Sequence, residues 1–153
     1  MGAGPRPLRA GRERTPLHRR FWHGDVRITT HYMQRDVLSS LYSVAHEGGH
    51  ALYELHVDPA CDFTVLAGGA TMGLHESQSR LFENMVGRSR AFIHCLWPIL
   101  REIFPEQTAD FTEEELYRAA NRAEPGLIRT EADELTYALH IMVRYEAGKS
   151  PAP

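Results

Sequence analysis

The sequence is poor in the features that mark special environments. No run of eighteen or more consecutive apolar residues occurs in it, so no membrane-spanning helix is expected. Cysteine is scarce: Cys61 and Cys95 are two thiols at an undistinguished spacing, too few for a disulfide framework and read as reduced side chains. Neither sign of charge dominates, because 17 Lys and Arg face 20 Asp and Glu for a formal net charge of −3. That balance gives no footprint for nucleic acid or an anionic membrane, and neither is expected as a partner. Internal repeats are absent. The first twenty residues are basic and carry Pro and Gly, yet lack the apolar stretch of a secretory signal, so a cytoplasmic location is expected. What remains, 42% hydrophobic and 24% charged residues in 153, is the composition of a globular protein with room for one domain or for a piece of a larger one.

Along the chain, residues 1–24 show no apolar periodicity and are expected to form a poorly ordered leader. The stretch Asp25-Val26-Arg27-Ile28-Thr29-Thr30 alternates polar with β-branched residues, the pattern of a short strand with one buried face. From Asp36, placed as an N-cap, Val37, Leu41, Val44, Ala45, Leu52 and Leu55 recur at helical spacing until Asp58-Pro59. Residues 58–73 hold Gly68-Gly69 and Gly73 and read as a loop, with a short extended piece at Phe63–Leu66. A second helix is expected from about Leu74 toward Val86, with Gly87 as a break. Pro98 inside the apolar run 92–104 implies two helices or one kinked helix. Thr112 to Glu115 has the form of a capping box ahead of a short helix to about Ala123. A last helix, from about Arg129 to Ala147, sets Leu135, Leu139, Met142 and Val143 on one side, and residues 149–153 form a tail.

The chemistry concentrates in His46-Glu47-Gly48-Gly49-His50. On a helix, positions i and i+4 share a face, so both imidazoles can reach one ion while Glu47 holds a water. Such an ion acidifies its bound water, and the carboxylate takes the proton as the water attacks a polarised carbonyl. The same five residues also describe two surface histidines beside an ordinary glutamate. A catalytic zinc takes three protein ligands and keeps a fourth position open. His75-Glu76 offers the third at the start of the next helix, and successive helical positions point about 100° apart, so one of the two faces the ion. Spacing leaves the choice between them open, and Glu76 could instead complement the helix dipole.

Four segments in one order resemble the catalytic middle of the carboxypeptidase Taq family: DVRIT at 25–29, HEGGHALYE at 46–54, HESQSRLFEN at 75–84 and IRTEADELTY at 128–137. The resemblance spans residues 25–146. It implies His46, His50 and Glu76 as metal ligands, Glu47 as general base, and release of C-terminal residues one at a time from peptides with a free C-terminus. The implied fold class is mainly α, a helical metallopeptidase core around the HExxH helix with a short β element near the active site, here a partial catalytic domain over 25–148. Zinc is the implied cofactor, with cobalt or another divalent ion as a substitute. Family members are much longer, and neither their upstream HPF motif nor their downstream GxxQDxHW-type motif has a counterpart here. The competing expectation is therefore a metal-binding fragment without turnover, whose uncovered apolar faces favour self-association into a homo-oligomer.

A peptidase that trims C-termini must hold a carboxylate, for which a guanidinium is best suited. Arg129 and Arg27 are the candidates, with structural pairing to Asp133 and Asp25 as the competing role. Asp133, Glu134 or Glu54 could accept the second N–H of a ligand histidine. Gln78 and Arg80 could line the groove or brace the two helices. Tyr137 and Tyr145 could offer a phenol to a developing oxyanion, although at helical spacing they read more simply as packing residues, as does His140.

Overall fold

The computed structural model describes residues 8–12, 17–22, 24–30, 32–129 and 132–149. Among them the fold is mainly α, with five α-helices and one small three-stranded sheet. The chain divides into two compact units, Met1–Phe92 and Ile93–Pro153.

In the first unit, β3 (Asp25–Thr30) is the central strand, flanked by β1 (Leu8–Arg12) in parallel and β2 (Leu17–Trp22) in antiparallel. The alternation read from the sequence holds: Val26, Ile28 and Thr30 are buried while Arg27 is exposed. The two flanking strands fall in the stretch expected to lack regular structure. They have no apolar periodicity of their own and draw their order from the ladder offered by β3, with Arg9 and Arg19 both opposite Arg27. Such edge strands carry little signal in a periodicity scan.

Helix α1 (Val37–Leu55) starts where expected, with Asp36 accepting a hydrogen bond from the Ser39 amide at 3.0 Å. Its Ala51 and Leu55 pack on Val26 and Ile28 to form the core of this unit. Residues 58–71 contain no extended piece; Pro59–Cys61 is a 3₁₀ turn capped by Asp58, and Phe63 takes a left-handed backbone with φ 61°. Helix α2 (Met72–Arg80) is capped by Thr71 and continues into a π-helical turn, Leu81–Val86, before the break at Gly87. The Tyr42 hydroxyl of α1 donates to the Gly87 carbonyl at 3.3 Å, tying that turn down. Inserted π turns often accompany functional sites.

Helix α3 (Arg90–Ile103) is one helix that carries Pro98 within it, with Ile93 and Leu100 buried. In the second unit α4 (Glu113–Ala120) has the expected capping box, and the Glu113 carboxylate meets His94 of α3 at 3.1 Å. Helix α5 (Glu134–Lys149) begins five residues later than expected, because Asp133 accepts from the amides of Leu135 and Thr136, both at 2.9 Å, and starts the helix there. None of its residues is buried, and Leu135, Leu139, Met142 and Val143 are all exposed. Cys61 and Cys95 are free thiols, neither of them buried. No helix of the described residues is long and apolar enough to cross a membrane.

Candidate metal centre

The site is built where α1 and α2 come close enough for backbone to touch backbone. At Gly49 a Cβ would lie 2.6 Å from both the Gln78 carbonyl oxygen and the Ser79 Cα, so only glycine permits this approach. At Gly48, one residue earlier, a Cβ would meet nothing within 4 Å. The two glycines of HEGGH thus have unequal duties. The close approach sets the last turn of α2 against the middle of α1, where the two histidines lie one helical turn apart.

Of His75 and Glu76, it is Glu76 that faces the pair. Its Oε2 stands 3.4 Å from His50 Nε2 and 3.8 Å from His46 Nε2, while Arg80 Nε donates to its Oε1 at 3.1 Å and so holds the second oxygen toward the histidines. One ligand atom from each of His46, His50 and Glu76 falls within 4.8 Å of the others. Donors about 2.0–2.2 Å from a tetrahedral zinc stand roughly 3.4 Å apart, so small side-chain adjustments close the cluster onto one ion. Two imidazoles, one carboxylate and a partly exposed flank are the donor set and the open side of a catalytic zinc site, and the residues fit the ion.

The outer nitrogens of both histidines are also engaged. His46 Nδ1 lies 2.8 Å from Glu83 Oε2, which Arg80 also contacts at 3.3 Å. Burial by itself would lower the His46 pKa, but the Glu83 hydrogen bond and the negative charges of Glu83, Glu76 and Glu47 outweigh it and raise the imidazole above its ordinary value. Glu83 moves the opposite way: burial would raise it, and the hydrogen bond from His46 with the charges of Arg80, His46 and Arg88 carries it below the usual range. Both shifts have one main favourable source, the 2.8 Å contact between the two side chains. His50 Nδ1 lies 2.7 Å from His75 Nδ1, and His75 Nε2 lies 2.6 Å from Glu54 Oε1. Glu54 in turn accepts from Arg20 at 3.2 Å, and Arg20 also reaches Asp62 at 2.8 Å.

Glu47 is buried on the same helix as the two histidines. Arg27 directs its guanidinium at Asp25, donating from Nε at 2.9 Å and from Nη2 at 2.6 Å. Arg129, in the second unit, donates to the Tyr137 hydroxyl at 3.0 Å and does not take Asp133 as its partner. Asp133 is committed to the start of α5 and to the Glu124 amide. Tyr145 is exposed, with Lys149 over its ring.

Of the proposed outer acceptors, Glu54 joins the network, and it does so through His75. Glu83 and His75 were missed as partners of the histidines. Glu54 and Glu83 left a trace in the sequence: residues 46, 50 and 54 form one stripe of α1 at i, i+4 and i+8, and Arg80, which bonds both Glu76 and Glu83, lies four positions after the one and three before the other.

Residues 9–150 match the family described as carboxypeptidase Taq (M32) metallopeptidase. The chain is similar to carboxypeptidase 1 of Bacillus subtilis, at 45% identity over 127 residues that make up 83% of this chain and 25% of that protein. It is 46% identical over 123 residues to thermostable carboxypeptidase 1 of Thermus thermophilus, covering 80% of this chain and 24% of that one. Among solved structures, the M32 carboxypeptidase from Deinococcus radiodurans superposes with a TM-score of 0.89 at 51% identity, over 95% of this chain and 30% of that chain. The apo magnesium structure of the Pyrococcus furiosus carboxypeptidase also gives 0.89, at 42% identity, over 95% of this chain and 29% of that chain. The chain therefore spans about a quarter of the length of its curated relatives. Its HEGGH helix, its facing glutamate and this match over nearly every residue lead to one assignment: the chain belongs to the carboxypeptidase Taq (M32) metallopeptidase family.

Proposed function

We propose that this chain carries the metal centre of a zinc carboxypeptidase that releases amino acids from the free C-terminus of peptides. The observation that supports the reading is the gathering of His46, His50 and Glu76, with one ligand atom of each within 4.8 Å of the others. His46, His50 and Glu76 are the proposed ligands of zinc, for which cobalt or another divalent ion can substitute. When bound, the ion supplies Lewis acidity, acidifying a water and polarising the scissile carbonyl. Glu47 is the proposed general base, taking the proton of the attacking water and returning it to the departing amine. Arg129 is the proposed holder of the substrate carboxylate, since a planar guanidinium matches its two oxygens. Arg27 is the second candidate, and to serve it would have to release Asp25.

A second reading, a metal-binding segment without turnover, draws on the quarter share of the relatives' length. Zinc analysis followed by an assay of amino-acid release from N-blocked dipeptides separates the two. On the carboxypeptidase reading the chain takes up one zinc and trims peptides, and Glu47→Gln keeps the metal while the rate falls roughly 10²–10⁴-fold. Zinc uptake without turnover selects the second reading, and absence of zinc uptake removes both.

A further inference from the structure

We propose that His75, the neighbour of a ligand and not itself a ligand, is the positioning residue that fixes the tautomer and ring orientation of His50, acting through a hydrogen-bond relay anchored by Glu54 and Arg20. This rests on the metal-site reading above and goes beyond it by giving a role to a side chain outside the ligand set. Two ring nitrogens 2.7 Å apart share one proton, so one imidazole donates and the other accepts. The far end of the relay sets the direction. Glu54 is buried and receives Arg20 on Oε2 at 3.2 Å and the Gly69 amide on Oε1 at 3.4 Å, partners that suit only an ionised carboxylate. An ionised carboxylate accepts and cannot donate, so the 2.6 Å contact places the proton of His75 on Nε2. With His50 Nε2 as the ligand atom the proton of His50 sits on Nδ1, so His75 Nδ1 is the acceptor of the 2.7 Å contact. The relay thus holds the His50 proton on Nδ1 and keeps the lone pair on Nε2, the nitrogen that faces Glu76 across 3.4 Å.

The ring of His75 is held for this task. It is buried, and Tyr53 meets it edge-on with centroids 5.1 Å apart. Gly69 closes over it so tightly that a Cβ there would sit 2.4 Å from His75 Cδ2. The glycine-rich loop before α2 is therefore a cover for the relay, and Arg20 connects it to strand β2. His46 is served differently, by a carboxylate directly.

Outer partners of ligand histidines typically change metal affinity by about 10–100-fold, which sets the scale of the test. Zinc affinity would be measured by competition with a chromophoric chelator for the unmodified protein, His75→Phe and His75→Gln. Phenylalanine fills the space and removes both hydrogen bonds, and a loss of about 10–100-fold is expected. Glutamine can accept from His50 with its oxygen and donate to Glu54 with its amide, so it should recover most of that loss. A merely structural histidine would not yield this rescue. The zinc-loaded unmodified protein provides a second measurement that needs no substitution: ¹⁵N shifts should report His75 with Nε2 protonated and Nδ1 bare, coupled through the hydrogen bond to His50. A proton on His75 Nδ1, or zinc affinity in a folded His75→Phe equal to that of the unmodified protein, overturns the proposal. A protein that binds no zinc in any form overturns the metal-site reading instead, so the two failures are distinct.

Discussion

The two units of the chain treat their side chains in opposite ways. Between α1 and α2, polar groups are buried and joined: Glu47, His50, Glu54, His75 and Ser79 are all shielded from solvent. Along α5 the apolar groups are exposed, and Leu135, Met142 and Val143 each keep more than 60% of their accessible surface. Burying a polar group is costly unless it is hydrogen-bonded, and exposing an apolar one forgoes roughly 25 cal/mol per Å². The first unit is thus organised around what it can bind, whereas the ordering of α5 comes chiefly from its capped start and helix propensity.

The sharpest way to break that contrast is to add the ion. A ligand that binds only the folded state at a hundred times its dissociation constant stabilises by about 2.7 kcal/mol. Zinc should therefore raise amide protection across α1 and α2 and leave α5 unchanged, as read by hydrogen exchange with and without chelator. Equal gains in α5 would show that the two units open together.

A smaller effect separates the two glycines of the motif. Gly49→Ala drives a methyl group into the backbone of Gln78 and Ser79. Overpacking of that kind costs about 1–3 kcal/mol, and here it also pushes Glu76 away from the histidines. Gly48→Ala adds its methyl group in open space and should stabilise the helix by roughly 0.5–1 kcal/mol. Urea unfolding of both variants, paired with zinc competition, checks the difference. A Gly49→Ala protein with unaltered zinc affinity would mean that the close helix approach does not set the site.

These glycines also mark how far the sequence could be read. The i, i+4 histidines and Asp36 as the cap of α1 follow from helical geometry and were legible, as was the alternation of β3. The choice of Glu76 over His75 was not fixed by spacing, since adjacent residues of a helix differ only in which way they face once the helix is docked. The docking depends on a missing Cβ at residue 49, and neither HEGGH glycine looks special in one dimension. Likewise the π turn at Leu81–Val86 and the His50 to His75 contact are products of tertiary packing. The strands at 8–12 and 17–22 exist through pairing with β3, a long-range cause that local composition does not carry. The start of α5 differs for a local reason: Asp133 accepts from the amides of Leu135 and Thr136 and so begins the helix, although an aspartate at that place reads equally well as a partner for a histidine or an arginine.

On the exposed side the expected effects are small. Leu139→Ser, at a position that is 55% exposed, should alter thermal stability by no more than about 0.5 kcal/mol. A clearly larger loss, or a change in sedimentation that follows the substitution, would show that the α5 face is covered in solution by another copy of the chain.

The smallest effect concerns the cap itself and acts through pH. The Thr136 hydroxyl and the amides of Thr136, Glu124 and Leu135 all donate to Asp133, and together they pull its pKa down to about 2. In an unfolded chain an aspartate titrates near about 3.9. A lowered folded-state value means that the carboxylate's contribution is fully present above about pH 4, declines as pH falls from there, and is lost once pH drops through about 2. The amides of Leu135 and Thr136 should therefore lose exchange protection across that acid window, and Asp133→Asn should remove the pH dependence by leaving a neutral cap at every pH. Zinc held at the proposed site, which requires unprotonated imidazoles, should leave it at considerably higher pH. The expected order under acid is therefore metal release first and loss of the helix cap last. Fraying of α5 in step with zinc release would contradict the assignment of Asp133 as its anchor.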